Sequence, residues 1–410
     1  MSKIKIKNFG PIKEGYLEND GWIVIKKVTV FIGNQGSGKS TVAKLISTMT
    51  WIEKALVRGD FKEKDLTVYN RFKKHCAYQN IGNYFNENSR IEYKGKAYSI
   101  SYESGNVIVK KNEENNYSFP KIMYVPSDRN FVSSVKNVLK LKGLPSTLYT
   151  FTDEDRIAKE NLKGPLDLPI NNTKFEYRKP SGVSWLVGED YEIRLSEASS
   201  GFQSFVPLFI VSRDLALSID KESDSSIKEI SIEDEKKIRK EIEKIYSNPN
   251  LSEDVKKASL EYLSSRFKYA CFFNIVEEPE QNLFPTSQRH ILNSLLEFSN
   301  MNTENSLVIT THSPYIIIFL SISIQGEYLR SKIAKAKKQN ILFPKLNKIV
   351  PEKSLISSDA VVVYQLDEAD GSIKKLSAPE GIPSDKNYLN KMLAEGNQLF
   401  DSLLEIEQEL

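Results

Sequence analysis

The sequence predicts an α/β chain with a mainly parallel core sheet, an N-terminal antiparallel β subdomain and an inserted, mostly helical lobe. Three observations carry this. Residues 28–32 (VTVFI) are almost entirely apolar, as in a strand buried on both faces, and a glycine-rich turn leads from them into a helical pattern. Two more apolar runs, YACFFNIV (269–276) and SLVITT (306–311), flank the helical stretch QRHILNSLLEFS, and alternation of strand with helix implies parallel pairing. Residues 88–110 (RIEYKGKAYSISYESGNVIVKK) alternate polar and apolar with turn signals at Lys94-Gly95 and Ser104-Gly105, as a β-meander does.

The remaining elements follow in order. Residues 3–9 (KIKIKNF) fit a strand that turns at Gly10-Pro11, and residues 22–32 hold two β-rich runs parted by Lys26-Lys27. After the glycine turn, Val42, Leu45, Ile46 and Met49 recur at helical spacing. KIMYVP reads as a strand ending at Pro126. From about 130 to 195 the pattern is irregular, and 205–266 reads mostly helical, with Ile238, Ile242 and Ile245 on one stripe. Near the C-terminus VVVYQL and SIKKL flank Asp367-Glu368-Asp370-Gly371, a hairpin turn. The expected organisation is an N-terminal lobe at 1–130, an inserted helical lobe at 131–265, a C-terminal lobe at 266–350, and a hairpin with helical tail at 351–410.

Composition narrows the function. Of 410 residues, 27% are charged and 40% hydrophobic, which excludes a disordered chain and is ordinary for a globular one. Two cysteines, Cys76 and Cys271, stand far apart, which excludes a disulfide scaffold and fits a reducing, cytoplasmic location. The run 315–324 (YIIIFLSISI) is shorter than the roughly 20 residues a membrane span needs, and the N-terminus lacks the pattern of a secretion signal, so no membrane is expected. The net charge of +3 does not announce nucleic-acid binding.

Three motifs carry chemistry. Gly33-Asn34-Gln35-Gly36-Ser37-Gly38-Lys39-Ser40, followed by Thr41, fits G-x-x-x-x-G-K-[ST] between a buried strand and a helix. Glycines let several N–H groups converge on one phosphate, and the helix N-terminus adds positive charge. Lys39 is expected on the β- and γ-phosphates and the Ser40 hydroxyl on Mg²⁺, so the ligand is a nucleoside triphosphate. Glu277 and Glu278 end the strand CFFNIV, at the side of an open α/β sheet where ligands bind. Because successive strand residues face opposite ways, they are given separate tasks: Glu277 to hold Mg²⁺, Glu278 to polarise the attacking water. Glu280 receives no catalytic role. His312, after the strand SLVITT, would close the same crevice and meet the γ-phosphate or the water. His75 and His290 have no such context.

Together KIKIKNFGPIK, GNQGSGKST, ASSGFQS, FFNIVEEPEQNLFP and VITTHSP resemble an ABC-type ATPase head of the branch containing the SMC, RecF and OLD proteins. EEPE with LFP, and TTHSP, are most similar to OLD-related heads. The resemblance implies a P-loop NTPase fold and ATP with Mg²⁺ as cofactors. It also identifies Ser199, Ser200 and Gly201 as the signature that meets the γ-phosphate of a second protomer, so that a homodimer or higher oligomer sandwiches ATP. Departures from the family pattern are Ala198 for leucine, Ser200 for glycine, Phe202 for a polar residue, Gln35 for asparagine, Ser127 for the Q-loop glutamine and Glu277 for aspartate. With no Toprim-like acidic motif found, no nuclease is expected in this chain. The implied function is an ATPase switch controlling a separately encoded effector, a nuclease or toxin, in bacterial anti-phage defence. The alternatives are a RecF- or SMC-like DNA-maintenance ATPase, favoured by the basic stretches 136–142 and 332–338, and a slowly hydrolysing scaffold that sequesters a partner.

Overall fold

The computed structural model describes residues 1–113, 117–135, 138–220, 232–246 and 269–408. The first part of the chain holds β1 (Lys3–Phe9), β2 (Gly15–Tyr16), β3 (Ile23–Val24), β4 (Val28–Gly33), α1 (Lys39–Arg58), α2 (Glu63–Thr67) and α3 (Arg71–Tyr78). The meander follows as β5 (Phe85–Lys94), β6 (Tyr98–Glu103) and β7 (Asn106–Lys111), then β8 (Pro120–Val125), α4 (Phe131–Ser134) and α5 (Ser146–Glu160). Next come β9 (Leu166–Asp167), β10 (Lys174–Arg178), β11 (Val183–Val187), β12 (Glu192–Arg194), α6 (Ser200–Asp220) and α7 (Ile232–Tyr246). The last part is β13 (Cys271–Glu277), α8 (Pro285–Asn300), β14 (Ser306–Thr311), α9 (Pro314–Ile333), α10 (Gln339–Ile349), β15 (Val361–Leu366), β16 (Ser372–Lys375) and α11 (Tyr388–Gln408).

The central sheet runs β2-β16-β15-β4-β14-β13-β8, and its five strands from β15 to β8 are mutually parallel. Strand β4 shows why its sequence is uniformly apolar. Val28, Val30 and Ile32 enter the core under α6, α8 and α9, while Phe31 enters the core under α1. The second sheet, β3-β1-β5-β6-β7, is antiparallel throughout. Buried Glu53 of α1 fixes it in place, accepting hydrogen bonds from the N–H groups of Ala97 and Tyr98 and from the Tyr93 hydroxyl.

Two findings change the sequence reading. The segment expected to be mostly helical also contains an antiparallel sheet, β12-β11-β10-β9. Its strands are only two to five residues long, too short to show an alternation among the Gly, Pro and Asn of 164–191. The C-terminal hairpin is part of the core: β15 lies directly beside β4. The helical reading of 205–266 lies outside the described residues at 221–231 and beyond 246. One described helix, α6, is long and apolar enough to cross a membrane, and 67% of that window is buried inside the molecule.

Candidate functional site

Parallel strands β13, β14 and β4 end side by side, so the residues after each share one crevice. Glu277 pairs with Thr310, and Thr311 pairs with Ile32 just before Gly33. The glycine loop, the acid pair and the histidine meet there because of this register.

Gly38 caps α1 with φ +96°, and a Cβ there would stand 2.4 Å from Ile12 Cδ1. Lys39 is buried. Its Nζ donates to the carbonyls of Gly33 (3.0 Å) and Asn34 (2.8 Å) and lies 3.4 Å from His312 Nδ1. Burial lowers its ammonium pKa to about 8. Ser37 Oγ donates to Asn34 O at 2.7 Å, so the loop is closed on itself. Asn34, Gln35 and Gly36 form its exposed tip, Ser40 is half-buried and Thr41 is buried.

His312 Nε2 lies 3.3 Å from Glu278 Oε1. Lys39, His312 and Glu278 therefore form one continuous chain of contacts. A neutral imidazole protonated on Nε2 satisfies both neighbours, accepting from Lys39 and donating to Glu278. The bond to His312 holds the Glu278 carboxyl below its ordinary range, against the opposing effect of burial. Glu278 does not continue the strand: its φ is +43°, so the alternation argument stops at Glu277. The left-handed turn, not the pleat, aims Glu278 at the histidine.

Glu280, given no role from sequence, proves to position the histidine. Its Oε1 accepts from His312 N and Thr311 Oγ1, both at 2.7 Å. Burial raises its pKa. Sequence reasoning also missed Arg129, which is fully buried. Its guanidinium donates to the carbonyls of Glu277 (2.7 Å), Glu278 (2.6 Å), Pro126 (3.2 Å) and Ser204 (3.1 Å). Burial lowers its pKa to about 10. One arginine thus joins the acid pair to helix α6. Its signal in the sequence is a lone basic residue three positions after Pro126, which has no pattern of its own.

Ser127, at the expected Q-loop place, donates its backbone N–H to Glu277 Oε2 at 3.3 Å. Glu277 Oε1 and Thr310 Oγ1 are buried and have no hydrogen-bond partner among the described residues. An orphaned, buried carboxylate oxygen at a strand end fits a hard cation, which takes oxygen donors. Among the described residues no group of three or more His, Cys, Asp or Glu is arranged to hold a metal unaided.

Ser199 and Ser200 are exposed at the start of α6. A Cβ on Gly201 would stand 2.9 Å from Asn282 O, and Asn282 Nδ2 donates to Ser204 Oγ. Among the described residues no hydrogen bond joins Ser199, Ser200 or Gly201 to the glycine loop of the same chain. The C-terminal hairpin does reach that loop: Glu368 Oε1 accepts from Asn34 Nδ2 (2.9 Å) and from the Tyr388 hydroxyl (3.1 Å).

The architecture is a P-loop α/β fold. No family model matches the chain, and no curated protein matches it. Solved structures do resemble it. The SMC head domain from Thermotoga maritima is 11% identical, with a TM-score of 0.38 over 92% of this chain and 98% of that one. The Smc head domain with an extended coiled coil from Pyrococcus furiosus, bound to the C-terminal domain of ScpA, is 10% identical, with a TM-score of 0.38 over 98% and 100%. An ATP-binding cassette, dimeric in a post-hydrolysis state with ADP and Pi, is 12% identical, with a TM-score of 0.25 over 91% and 96%. These are likenesses of architecture at low identity; the chemistry of the site follows from its own residues.

Proposed function

We propose that this chain is an ABC-type ATPase head that binds ATP, hydrolyses it and uses the cycle as a switch. The observation that supports this best is the contact chain Lys39–His312–Glu278, set at the ends of three adjacent parallel strands. In this reading Lys39 exchanges the Gly33 and Asn34 carbonyls for the β- and γ-phosphates, while the backbone N–H groups of 33–41 cradle them. Glu278 accepts a hydrogen bond from the attacking water and takes its proton as the new oxygen–phosphorus bond forms, while the bond from the γ-phosphorus to the β,γ-bridging oxygen breaks and ADP leaves with that electron pair. His312, held by Glu280, keeps Glu278 aimed and meets the γ-phosphate. Ser40 and Glu277 would hold Mg²⁺, which would supply charge neutralisation at the phosphates.

Ser199, Ser200 and Gly201 then serve a second protomer. Exposed small residues at the start of a 21-residue helix suit an anion brought from outside. Two copies would close over two ATP molecules, and hydrolysis would part them. In this reading the switch acts on a separately encoded effector such as a nuclease or toxin. Its OLD-like motifs point to phage defence as the setting.

The test is turnover and size together. Purified protein should hydrolyse ATP, and Glu278→Gln should abolish turnover while trapping, at high salt in ATP, a two-copy species that is absent at the same salt without nucleotide. Undiminished turnover in Glu278→Gln would remove that residue from the mechanism. A kcat equal to that of Lys39→Ala would favour a nucleotide-gated scaffold instead.

A further inference from the structure

Two surfaces of this chain are complementary to one another, and each leaves apolar residues exposed among the described residues. The first is α11. Met392, Gly396, Leu399, Leu403 and Ile406 fall at alternating spacings of four and three, the seam of a helix that packs on another. Leu399, Leu403 and Ile406 are 70%, 63% and 59% exposed. Residues 392–408 include Glu395, Asp401, Glu405 and Glu407 but no lysine or arginine. Glu395 pairs with Lys391, whereas the other three acids make no ion pair among the described residues.

The second surface is α10 with the turn before it. Residues 330–349 include Lys332, Lys335, Lys337, Lys338, Lys345 and Lys348 but no acid. On α10, Ile341, Lys345, Lys348 and Ile349 recur at helical spacing on one exposed face, opposite buried Leu346. Ile341 and Ile349 are 57% and 59% exposed. Apolar residues set among lysines suit a helix with an acidic rim and an apolar stripe better than a nucleic-acid backbone, which offers no apolar stripe.

We propose that α11 of one copy docks on the α9–α10 surface of a second copy, its leucines on Ile341 and Ile349 and the flanking Glu395 and Glu407 among the lysines. The segregation of charge decides the occupant. Two α11 helices laid together would set acid against acid, and two α10 surfaces lysine against lysine. The contact needs no nucleotide, so it is separate from an ATP-dependent closure and would join heads into rings or longer arrays, or link the two members of a pair reciprocally.

The experiment measures the mass of the full chain by light scattering, without nucleotide, in a Lys39→Ala background and at two salt concentrations. This keeps it independent of the ATPase reading. The expected result is self-association at low salt that weakens as salt rises. Leu399→Asp with Leu403→Asp should raise the dissociation constant by about tenfold or more. Lys345→Glu with Lys348→Glu should weaken association similarly, and adding Glu395→Lys with Glu407→Lys should restore it. A monomer at tens of micromolar protein and low salt overturns the proposal, as does self-association indifferent to the α11 changes. Salt-dependent retention of duplex DNA by Lys345 and Lys348 without self-association would likewise overturn it and assign the surface to nucleic acid.

Discussion

Lys39 is buried against carbonyl oxygens, which gives its chemistry a pH signature. Its ammonium titrates near 8, against an ordinary value of 10.5, because burial disfavours the charge. Between those values the unfolded chain holds the extra proton, so this group's cost to folding is present below 8 and fades as pH rises. Phosphate binding requires the charged form, so ATP binding above pH 8 should take up a proton. Affinity should then fall by about tenfold per pH unit above 8, until the bound lysine itself titrates. Titration calorimetry at pH 7 and 9.5 checks this, and Lys39→Arg, which keeps its charge, should flatten the slope if ATP still binds. A slope unchanged in Lys39→Arg would place the titrating group elsewhere.

At the scale of elements, Arg129 is the residue on which the arrangement turns. It holds the carbonyls that end β13 and one carbonyl of α6. Arg129→Met should destabilise the chain by about 3–5 kcal/mol, as expected when a buried charged network loses its central partner. Urea unfolding measures it. Arg129→Lys should keep the fold but lower kcat more than ATP affinity, because one ammonium cannot span four carbonyls. Equal losses in both would make the role merely structural. These cases explain what was legible. The glycine loop, β13, β14 and their end residues announce themselves because buried parallel strands are apolar runs and polar residues at their ends break the pattern. Arg129 and Glu280 do not, since each acts through backbone groups distant in sequence. The place of Glu278 after the strand is legible in the sequence, whereas its positive φ is not. The small sheet β9–β12 was hidden by strands too short for a periodicity.

At the scale of the whole molecule, the C-terminal hairpin touches the glycine loop through Glu368 and Asn34. Glu368 is held below the ordinary carboxylate range, first by that bond. A carboxylate beside an incoming triphosphate opposes it, so Glu368→Gln should tighten ATP binding by about threefold at low salt, and less as salt rises. Fluorescent-nucleotide titration at two salt concentrations checks this; weaker binding would instead make the contact a support for the loop.

The bond from Arg129 to Ser204 has a further consequence for two closed heads. In the proposed pair, the helix that begins with the serine tip and the backbone that carries the two acids are held by the same guanidinium. Engagement on one side should therefore be felt at once on the other, and neither pocket should fire alone. Turnover per molecule should climb with protein concentration and then level off, as in a lock that needs both keys turned.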